Sequence, residues 1–138
     1  MPATPDTGEA APMSDRQKPD ALVALAAGRI LLGVCALAAP GPLVRGFGLS
    51  SSPTVAYLTR IYGARALALG VGYLGEPAEG RRRWHRIGLA VDTSDTLTAL
   101  GHLVRRDAPL RAVVALGALT GGYAAVGAFR LLRERGEG

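Results

Sequence analysis

Four apolar runs follow a polar N-terminal stretch of the chain. They cover residues 21–39, 55–74, 87–104 and 112–132. Each run is about 18 to 21 residues long, close to the roughly 20 residues that a helix needs to cross the hydrocarbon core of a bilayer. A single segment can satisfy its own backbone hydrogen bonds in lipid only as a helix. The pattern therefore predicts an all-α protein, a bundle of four transmembrane helices within residues 20–133.

Polar segments and helix breakers set the limits of these helices. Residues 1–19 are rich in Pro, Ala and acidic groups, which predicts a disordered cytoplasmic tail, and residues 134–138 form a short second tail. The Pro-Gly-Pro triplet at 40–42 ends the first run, and the Ser-Pro-Thr triplet at 52–54 is a helix-start signal. The alternative, a soluble four-helix bundle, requires charged outer stripes. The fourth run is apolar or small on every face, which favours the membrane protein.

The composition agrees with helices that pack closely in lipid. Hydrophobic residues make up 49% of the chain but aromatic residues only 5%, and there are 19 glycines, which let helix backbones approach each other. The net charge of +5 is almost wholly due to arginine, but it forms no basic face with interleaved aromatics, so no nucleic-acid partner is predicted. The lone Cys35 excludes a cysteine-based metal site, and the sequence has no phosphate-binding, dinucleotide or HExxH motif. Neither a metal nor a cofactor is predicted.

Arginine and lysine positions predict the orientation in the membrane. Nine of them lie in the N-terminal tail, in the connection between the second and third runs and at the C-terminal end from Arg130 onward, whereas four lie in the other two connections. The positive-inside rule then predicts a multi-pass plasma-membrane protein with both termini in the cytoplasm. Trp84, beside the arginines at 81–83, is predicted to anchor its helix at the lipid headgroups.

Six ionisable residues fall inside the predicted spans: Arg29, Arg60, Arg65, Asp92, Asp95 and His102. A rise of about 1.5 Å per residue puts Arg29, Arg65 and Asp95 about 12 to 13 Å from the cytoplasmic ends of their helices. Asp92 follows at about 8 Å, so two arginines and two aspartates share a layer whose formal charges sum to zero. Because an isolated charge at this depth costs several kcal/mol, such groups are expected to turn inward and pair.

Three further residues complete the predicted polar groups. Arg60 and His102 fall together in a second layer at about 21 to 22 Å. Arg60 and Arg65 differ by about 140° around their helix, so we expect Arg65 to serve the aspartates and Arg60 the outer rim. Tyr123, on the fourth run, lies at about 13 Å, where its phenol can donate a hydrogen bond to a carboxylate.

Small residues recur at every fourth position on two of the runs. The two sets are Ala64, Ala68 and Gly72 on the second run and Gly117, Gly121 and Ala125 on the fourth. Such stripes predict close helix packing, either within one chain or between copies in a homo- or hetero-oligomer. Gly63, between the two arginines of the second run, is also expected to let a neighbouring helix approach.

Two motifs, RIYGARALALGVGYL at 60–74 and GLAVDTSDTLTAL at 88–100, carry a resemblance to a known family. Over about residues 20–132 the chain resembles small four-helix integral membrane proteins of actinobacteria, which carry a domain-of-unknown-function label. Those proteins have an R-h-[FY]-G-[AV]-R element on the second span and an hVD-xx-D element on the third, where h is hydrophobic. The matching residues are Arg60, Tyr62, Gly63, Arg65, Asp92 and Asp95. Where many relatives have an acidic residue after the GAR triplet, this chain has Ala66. The resemblance implies the fold and the membrane location, with no established activity.

Three functions stay open at this point. The first is a non-enzymatic membrane protein of uncharacterised role, whose Arg/Asp cluster holds the bundle together or binds a lipophilic small molecule. The second is a membrane-embedded isomerase or cyclase that acts on a lipophilic substrate by acid–base catalysis. Its candidate catalytic residues are Asp92, Asp95, Arg65 and Tyr123. The third, a proton or ion pathway, requires a continuous polar route, for which Thr96 and Thr98 are the only links between the two layers.

Overall fold

The computed structural model describes residues 20–136, and this part of the chain contains five α-helices and no strand. The helices are α1 (Ala21–Ala38), α2 (Pro40–Gly46), α3 (Pro53–Gly75), α4 (Ala78–Arg105) and α5 (Leu110–Gly136). The all-α prediction is confirmed over these residues. The predicted tail at 1–19 and the last two residues of the tail at 134–138 lie outside the described part.

Local capping explains where the first and third helices begin. The Asp20 side chain accepts a hydrogen bond from the backbone N–H of Leu22 at 3.2 Å and so caps α1. Ser52 caps α3 in the same way through the N–H of Val55, also at 3.2 Å. Pro53 then occupies the first helical position, where its missing N–H costs nothing. The helix-start signal predicted at 52–54 is therefore confirmed.

Three helix boundaries differ from the prediction, and one of them is the end of α5, which continues to Gly136 and so into the predicted tail at 134–138. The triplet at 40–42 ends α1 but also begins the short helix α2, because a proline suits the first turn of a helix as well as it breaks an existing one. The helix α4 begins at Ala78 rather than near residue 87, since the intervening arginines favour helix. Trp84 therefore lies within α4, where its ring packs against Gly72 of α3.

The long helices form two antiparallel pairs. The main contacts join α1 to α3 and α4 to α5, whereas the α3–α4 and α1–α5 contacts are smaller. The start of α1 and the end of α5 lie at one end of the bundle, which we call the terminal end. The helix α2 and the α4–α5 connection lie at the opposite end, which we call the α2 end.

Glycines bring α1 and α3 into backbone contact. A Cβ added to Gly33 would lie 2.7 Å from the carbonyl oxygen of Gly63, and one added to Gly70 would lie 2.6 Å from that of Ala26. Neither position can therefore hold a larger residue without moving a helix. The expected approach of a neighbouring helix at Gly63 is confirmed, and that neighbour is α1.

The small-residue stripes are only partly used for packing within the chain. Ala64 and Ala68 are exposed, so the α3 face that packs on α1 is the adjacent one, which carries Gly63 and Gly70. The third member of this stripe, Gly72, packs instead against Trp84 of α4, and packing of the exposed alanines between copies stays a prediction. On α5 the stripe does meet α4, since a Cβ on Gly117 would lie 3.1 Å from the Cβ of Ala99.

Two helices meet the length and composition expected of membrane spans. They are α1, with a mean hydropathy of 2.2, and residues 110–133 of α5, with 1.7. Among the described residues, α3 and α4 fall short of that standard, because each carries charged groups and several Gly, Ser or Thr residues within its apolar sequence. The structure therefore supports a helical protein with two candidate spans.

Candidate functional site

One of the two central ion pairs is buried. Arg29 of α1 pairs with Asp92 of α4, and only 12% and 7% of their side chains are exposed. Gly88, one turn before Asp92, makes room for the guanidinium, because a Cβ there would lie 2.6 Å from Nη1 of Arg29. The Tyr123 ring of α5 covers the other side, with its centroid 5.2 Å from the guanidinium carbon. This buried pair thus joins three helices.

The other central ion pair is accessible. Both terminal guanidinium nitrogens of Arg65 on α3 donate to the carboxylate of Asp95 on α4, Nη1 to Oδ1 at 3.2 Å and Nη2 to Oδ2. Here 42% of the arginine side chain and 25% of the aspartate side chain are exposed. The ring of Tyr62 lies 5.1 Å from the guanidinium carbon of Arg65. We call this the cavity pair, because it lines the cavity described below.

The two pairs lie side by side, as the depth estimate predicts. All four charged groups surround a single void of about 10 Å³, together with the rings of Tyr62 and Tyr123. Helix α4 supplies both carboxylates, since Asp92 and Asp95 are three residues apart and share a helix face. The charges on α1 and α3 therefore converge on one helix.

Tyr123 takes part in the cluster in a different way from the one predicted. Its ring covers Arg29, while its hydroxyl lies beside α1, 3.1 Å from where a Cβ on Gly28 would be. Among the hydrogen bonds of the described residues, none joins this hydroxyl to Asp92 or Asp95. The guanidinium of Arg29 already satisfies Asp92, so the predicted phenol–carboxylate bond is replaced by a cation–π contact.

Arg60 and His102 do not share a partner, although their depths are similar. The Nε of Arg60 donates to the carbonyl of Leu37 at the end of α1, over 3.4 Å. His102 instead bonds through Nδ1 to Oδ1 of Asp107, in the α4–α5 connection, at 2.7 Å. This hydrogen bond holds the pKa of the Asp107 carboxyl below its usual value. Asp107 was missed because it lies outside the predicted spans.

His85 is a second polar residue that the sequence left without a role. It is buried, and its Nε2 lies 2.9 Å from the carbonyl oxygen of Gly127, so it joins α4 to α5 near the terminal end. Thr96 and Thr120 join the same two helices further along, with their Oγ1 atoms 3.1 Å apart. In the part of the chain that the structure describes, no three His, Cys, Asp or Glu residues are grouped to hold a metal ion.

A cavity of about 450 Å³ opens between the helices at the α2 end. Its walls are mainly apolar and come from every helix, for example Leu32, Leu43, Leu58, Ala99 and Leu116. The lining reaches Arg65 on α3 and Asp95 on α4, its deepest charged groups. His102, Ala108 and Pro109 line it near the α4–α5 connection. The cavity is thus an apolar space with one ion pair at its floor.

The predicted site residues fall into three groups. Arg65, Asp95 and His102 line the cavity, whereas Arg29, Asp92 and Tyr123 lie together outside it. Arg60 belongs to neither group, because its guanidinium is exposed and bonds to the end of α1. The predicted catalytic set is therefore divided between the cavity and the buried pair.

Comparison of the chain with protein-family models, curated proteins and solved structures gives no match in any of the three. The resemblance to the actinobacterial membrane proteins accordingly stays an expectation.

Proposed function

We propose that the chain is a small integral membrane protein, a four-helix transmembrane bundle that binds a lipophilic small molecule in its cavity. The observation that carries this proposal is the apolar cavity that ends on the Arg65–Asp95 pair. In this proposal the buried Arg29–Asp92 pair holds the helices together and has no contact with the ligand.

The surface of the bundle supports the membrane location. Large apolar side chains point outward from all four long helices, including Leu31 on α1, Ile61 on α3, Val104 on α4 and Phe129 on α5. By contrast, the buried residues include His85, Asp92 and Thr120. Extensive exposed apolar surface of this kind marks contact with a membrane or a partner.

The two most apolar helices, α1 and α5, are not buried in the way that the core helices of a soluble bundle would be. Only 22% of the apolar window in α1 and 17% of that in α5 are buried inside the molecule. The helices α3 and α4 are proposed to cross the bilayer beside them, because the charges nearest their middle, Arg65, Asp92 and Asp95, are held in ion pairs. The arginine count favours cytoplasmic termini in the plasma membrane.

The cavity fits a small-molecule site in size and character. Its volume of about 450 Å³ lies within the range of roughly 300 to 1,000 Å³ found for ligand pockets. Such pockets are mainly apolar, with a few polar groups that orient the ligand. Arg65 and Asp95 supply these groups, because both line the cavity and both are partly exposed.

The second candidate function is an acid–base enzyme, and the position of Asp95 in the cavity lining favours it. A carboxylate that lines an apolar cavity is placed to move a proton on a lipophilic substrate. However, both oxygens of Asp95 are held by Arg65, and the other predicted acid–base groups, Asp92 and Tyr123, do not line the cavity. Binding without chemistry is therefore better supported.

Photolabelling tests the proposed binding. The probe is a 12-carbon alkane that carries a diazirine, added to the protein in phosphatidylcholine nanodiscs. Val113 lines the cavity on α5, whereas its neighbour Val114 is exposed outside it, so Val113→Trp fills the cavity and Val114→Trp is the matched control. We expect labelled α5 peptides in the wild type and in Val114→Trp, and at least about fivefold less labelling in Val113→Trp, because the indole occupies the ligand volume. Equal labelling of all three proteins would contradict the proposal.

The membrane location needs a separate measurement. After alkaline carbonate washing of membranes from expressing cells, we expect the protein to stay in the pellet, because its outward apolar side chains require lipid. Release into the supernatant would show that the helices form a soluble or peripheral protein instead.

A further inference from the structure

We infer that the cavity takes an uncharged lipid alcohol, whose hydroxyl lies on the Arg65–Asp95 pair and whose apolar chain extends toward α2. This inference rests on the proposed function and names the chemical class of its ligand.

The difference in access between the two ion pairs places the polar end of the ligand. The cavity pair is 42% and 25% exposed at its two side chains, whereas the buried pair is 12% and 7% exposed. The buried pair does not line the cavity. A ligand in the cavity can therefore contact Arg65 and Asp95, which lie at the inner end of the cavity, but not the buried pair. We call this inner end the floor of the cavity.

The Arg65–Asp95 pair at the floor of the cavity has no net charge, which favours a ligand whose polar head group is uncharged. Arg65 and Asp95 neutralise each other, the Tyr62 ring lies against the guanidinium of Arg65, and His102, further along the cavity, is itself bonded to Asp107. A carboxylate or ammonium head would bring an unbalanced charge into a mainly apolar space, which costs several kcal/mol unless a counter-charge is provided. Displacing one member of the pair to receive the ion would leave the other member unpaired.

The remaining hydrogen-bonding capacity of the pair selects a hydroxyl. Asp95 accepts hydrogen bonds from two N–H groups of Arg65, and a guanidinium has about five N–H donors, so others remain for a ligand. The carboxylate likewise has lone pairs beyond those that Arg65 uses. The floor thus offers a donor beside an acceptor. A hydroxyl uses both at once, whereas a ketone or ether only accepts and a hydrocarbon does neither.

The cavity walls favour a ligand with a single polar group. The hydroxyls of Thr59 and Thr98 line the cavity, but each already donates to a carbonyl of its own helix, at 2.7 and 2.9 Å. The other polar side chains in the lining are Tyr62, which lies against Arg65, Thr120, which donates to the carbonyl of Leu116, and His102, which is bonded to Asp107. The remaining lining is apolar as far as Phe47 and Leu49 at the α2 end. The site therefore matches an alcohol with a hydrocarbon body rather than a molecule with polar groups at both ends.

A series of competitors with one chain length tests the inference. Dodecane, dodecan-1-ol, dodecanoate and dodecylammonium compete with the alkane diazirine probe in phosphatidylcholine nanodiscs, each at the same mole fraction in the bilayer. We expect dodecan-1-ol to compete about tenfold more strongly than the other three, since hydrogen bonds to charged groups are the stronger kind. Equal competition by dodecane and dodecan-1-ol would overturn the inference.

Charge variants of the floor provide a second test. Asp95→Asn leaves a net positive floor and should make dodecanoate the best competitor, while Arg65→Gln leaves a negative floor and should favour dodecylammonium. The double variant Arg65→Gln/Asp95→Asn is neutral, keeps amide donors and acceptors, and should prefer the alcohol again. If a single variant does not fold, the double variant still decides, because a neutral floor that prefers an ion contradicts the inference.

The two proposals fail in different ways. If the alkane probe labels wild type and Val113→Trp equally, the cavity is not a binding site and the proposed function fails. If labelling is specific to the cavity but competition does not follow the head group, the binding function stands and the assignment of an alcohol is wrong.

Discussion

At the scale of single residues, four charged side chains divide into two pairs with different surroundings. Arg29 and Asp92 are almost wholly enclosed, and Gly88 and Tyr123 shape the space around them. Arg65 and Asp95 have the same chemistry but line a cavity. A buried ion pair is costly to break, because the remaining partner is left as an uncompensated charge, whereas an exposed pair contributes little. The same chemistry is thus expected to stabilise the bundle in one place and to receive a ligand in the other.

Neutralising one aspartate of each pair tests this division. We expect Asp92→Asn to lower the free energy of unfolding by about 3 kcal/mol, because Arg29 loses its counter-charge in an enclosed site. Asp95→Asn should cost about 1 kcal/mol or less, because Arg65 can turn toward its surroundings. Thermal unfolding of both variants in the same detergent measures the difference. The double variant Arg29→Gln/Asp92→Asn is the control and should recover part of the loss. Equal destabilisation by the two single variants would mean that both pairs are structural.

At the scale of helices, glycine sets the distance between α1 and α3. The Gly33–Gly63 contact and the position of Gly70 against Ala26 put backbone on backbone. In lipid there is little hydrophobic force between helices, so close van der Waals packing of this kind supplies the association. The same approach lets Arg29 on α1 and Arg65 on α3 reach the two carboxylates of α4.

Substitution at Gly70 tests the importance of this contact. A methyl group there would lie 2.6 Å from the Ala26 carbonyl oxygen, so Gly70→Ala should separate the helices and cost about 1 to 3 kcal/mol of stability. Gly122→Ala on α5 is the matched control, because a Cβ there meets open space, and it should be neutral or stabilising by up to about 1 kcal/mol. Thermal unfolding in detergent compares them. A stable Gly70→Ala protein would show that α1 and α3 are held by other contacts.

At the scale of the whole molecule, the chain exposes many large apolar side chains and buries three polar or charged ones, His85, Asp92 and Thr120, among its described residues. Arginines at the terminal end and the cavity at the α2 end make its two ends chemically different. If the proposed membrane location and orientation are correct, the cavity lies toward the extracytoplasmic side of the bilayer. A lipophilic ligand could then enter it without crossing the cytoplasmic leaflet.

Cysteine accessibility tests this orientation. Because Cys35 is the only cysteine, Cys35→Ala provides a background in which Ser51→Cys marks the α2 end and Glu79→Cys marks the terminal end. Both positions are exposed. We expect a membrane-impermeant maleimide to label Ser51→Cys in intact cells and Glu79→Cys only after permeabilisation, since the arginine-rich end stays in the cytoplasm. The reverse pattern would invert the orientation and place the cavity on the cytoplasmic side.

Local properties of the chain were sufficient to predict its helices and the depth of its charges. The four apolar runs correspond to α1, α3, α4 and α5, because hydrophobic length and capping residues act within a single segment. The axial rise of a helix is constant, so position along the sequence placed Arg29, Arg65 and the two aspartates at similar depths. The short helix α2 was missed because a proline that breaks one helix can also begin the next.

Which charged residues pair with each other, and where the cavity lies, could be learned only from the tertiary structure. The pairing of Arg29 with Asp92, the bond between His102 and Asp107, and the separation of Arg60 from His102 depend on how each helix is rotated about its axis. That rotation is set by contacts between helices, above all the backbone approach of α1 to α3. The cavity is lined by side chains from all five helices, so no single segment encodes it. Sequence thus determined which groups lie at one depth, and packing decided which of them touch each other and which face the cavity, because contact depends on distances between segments that are far apart along the chain.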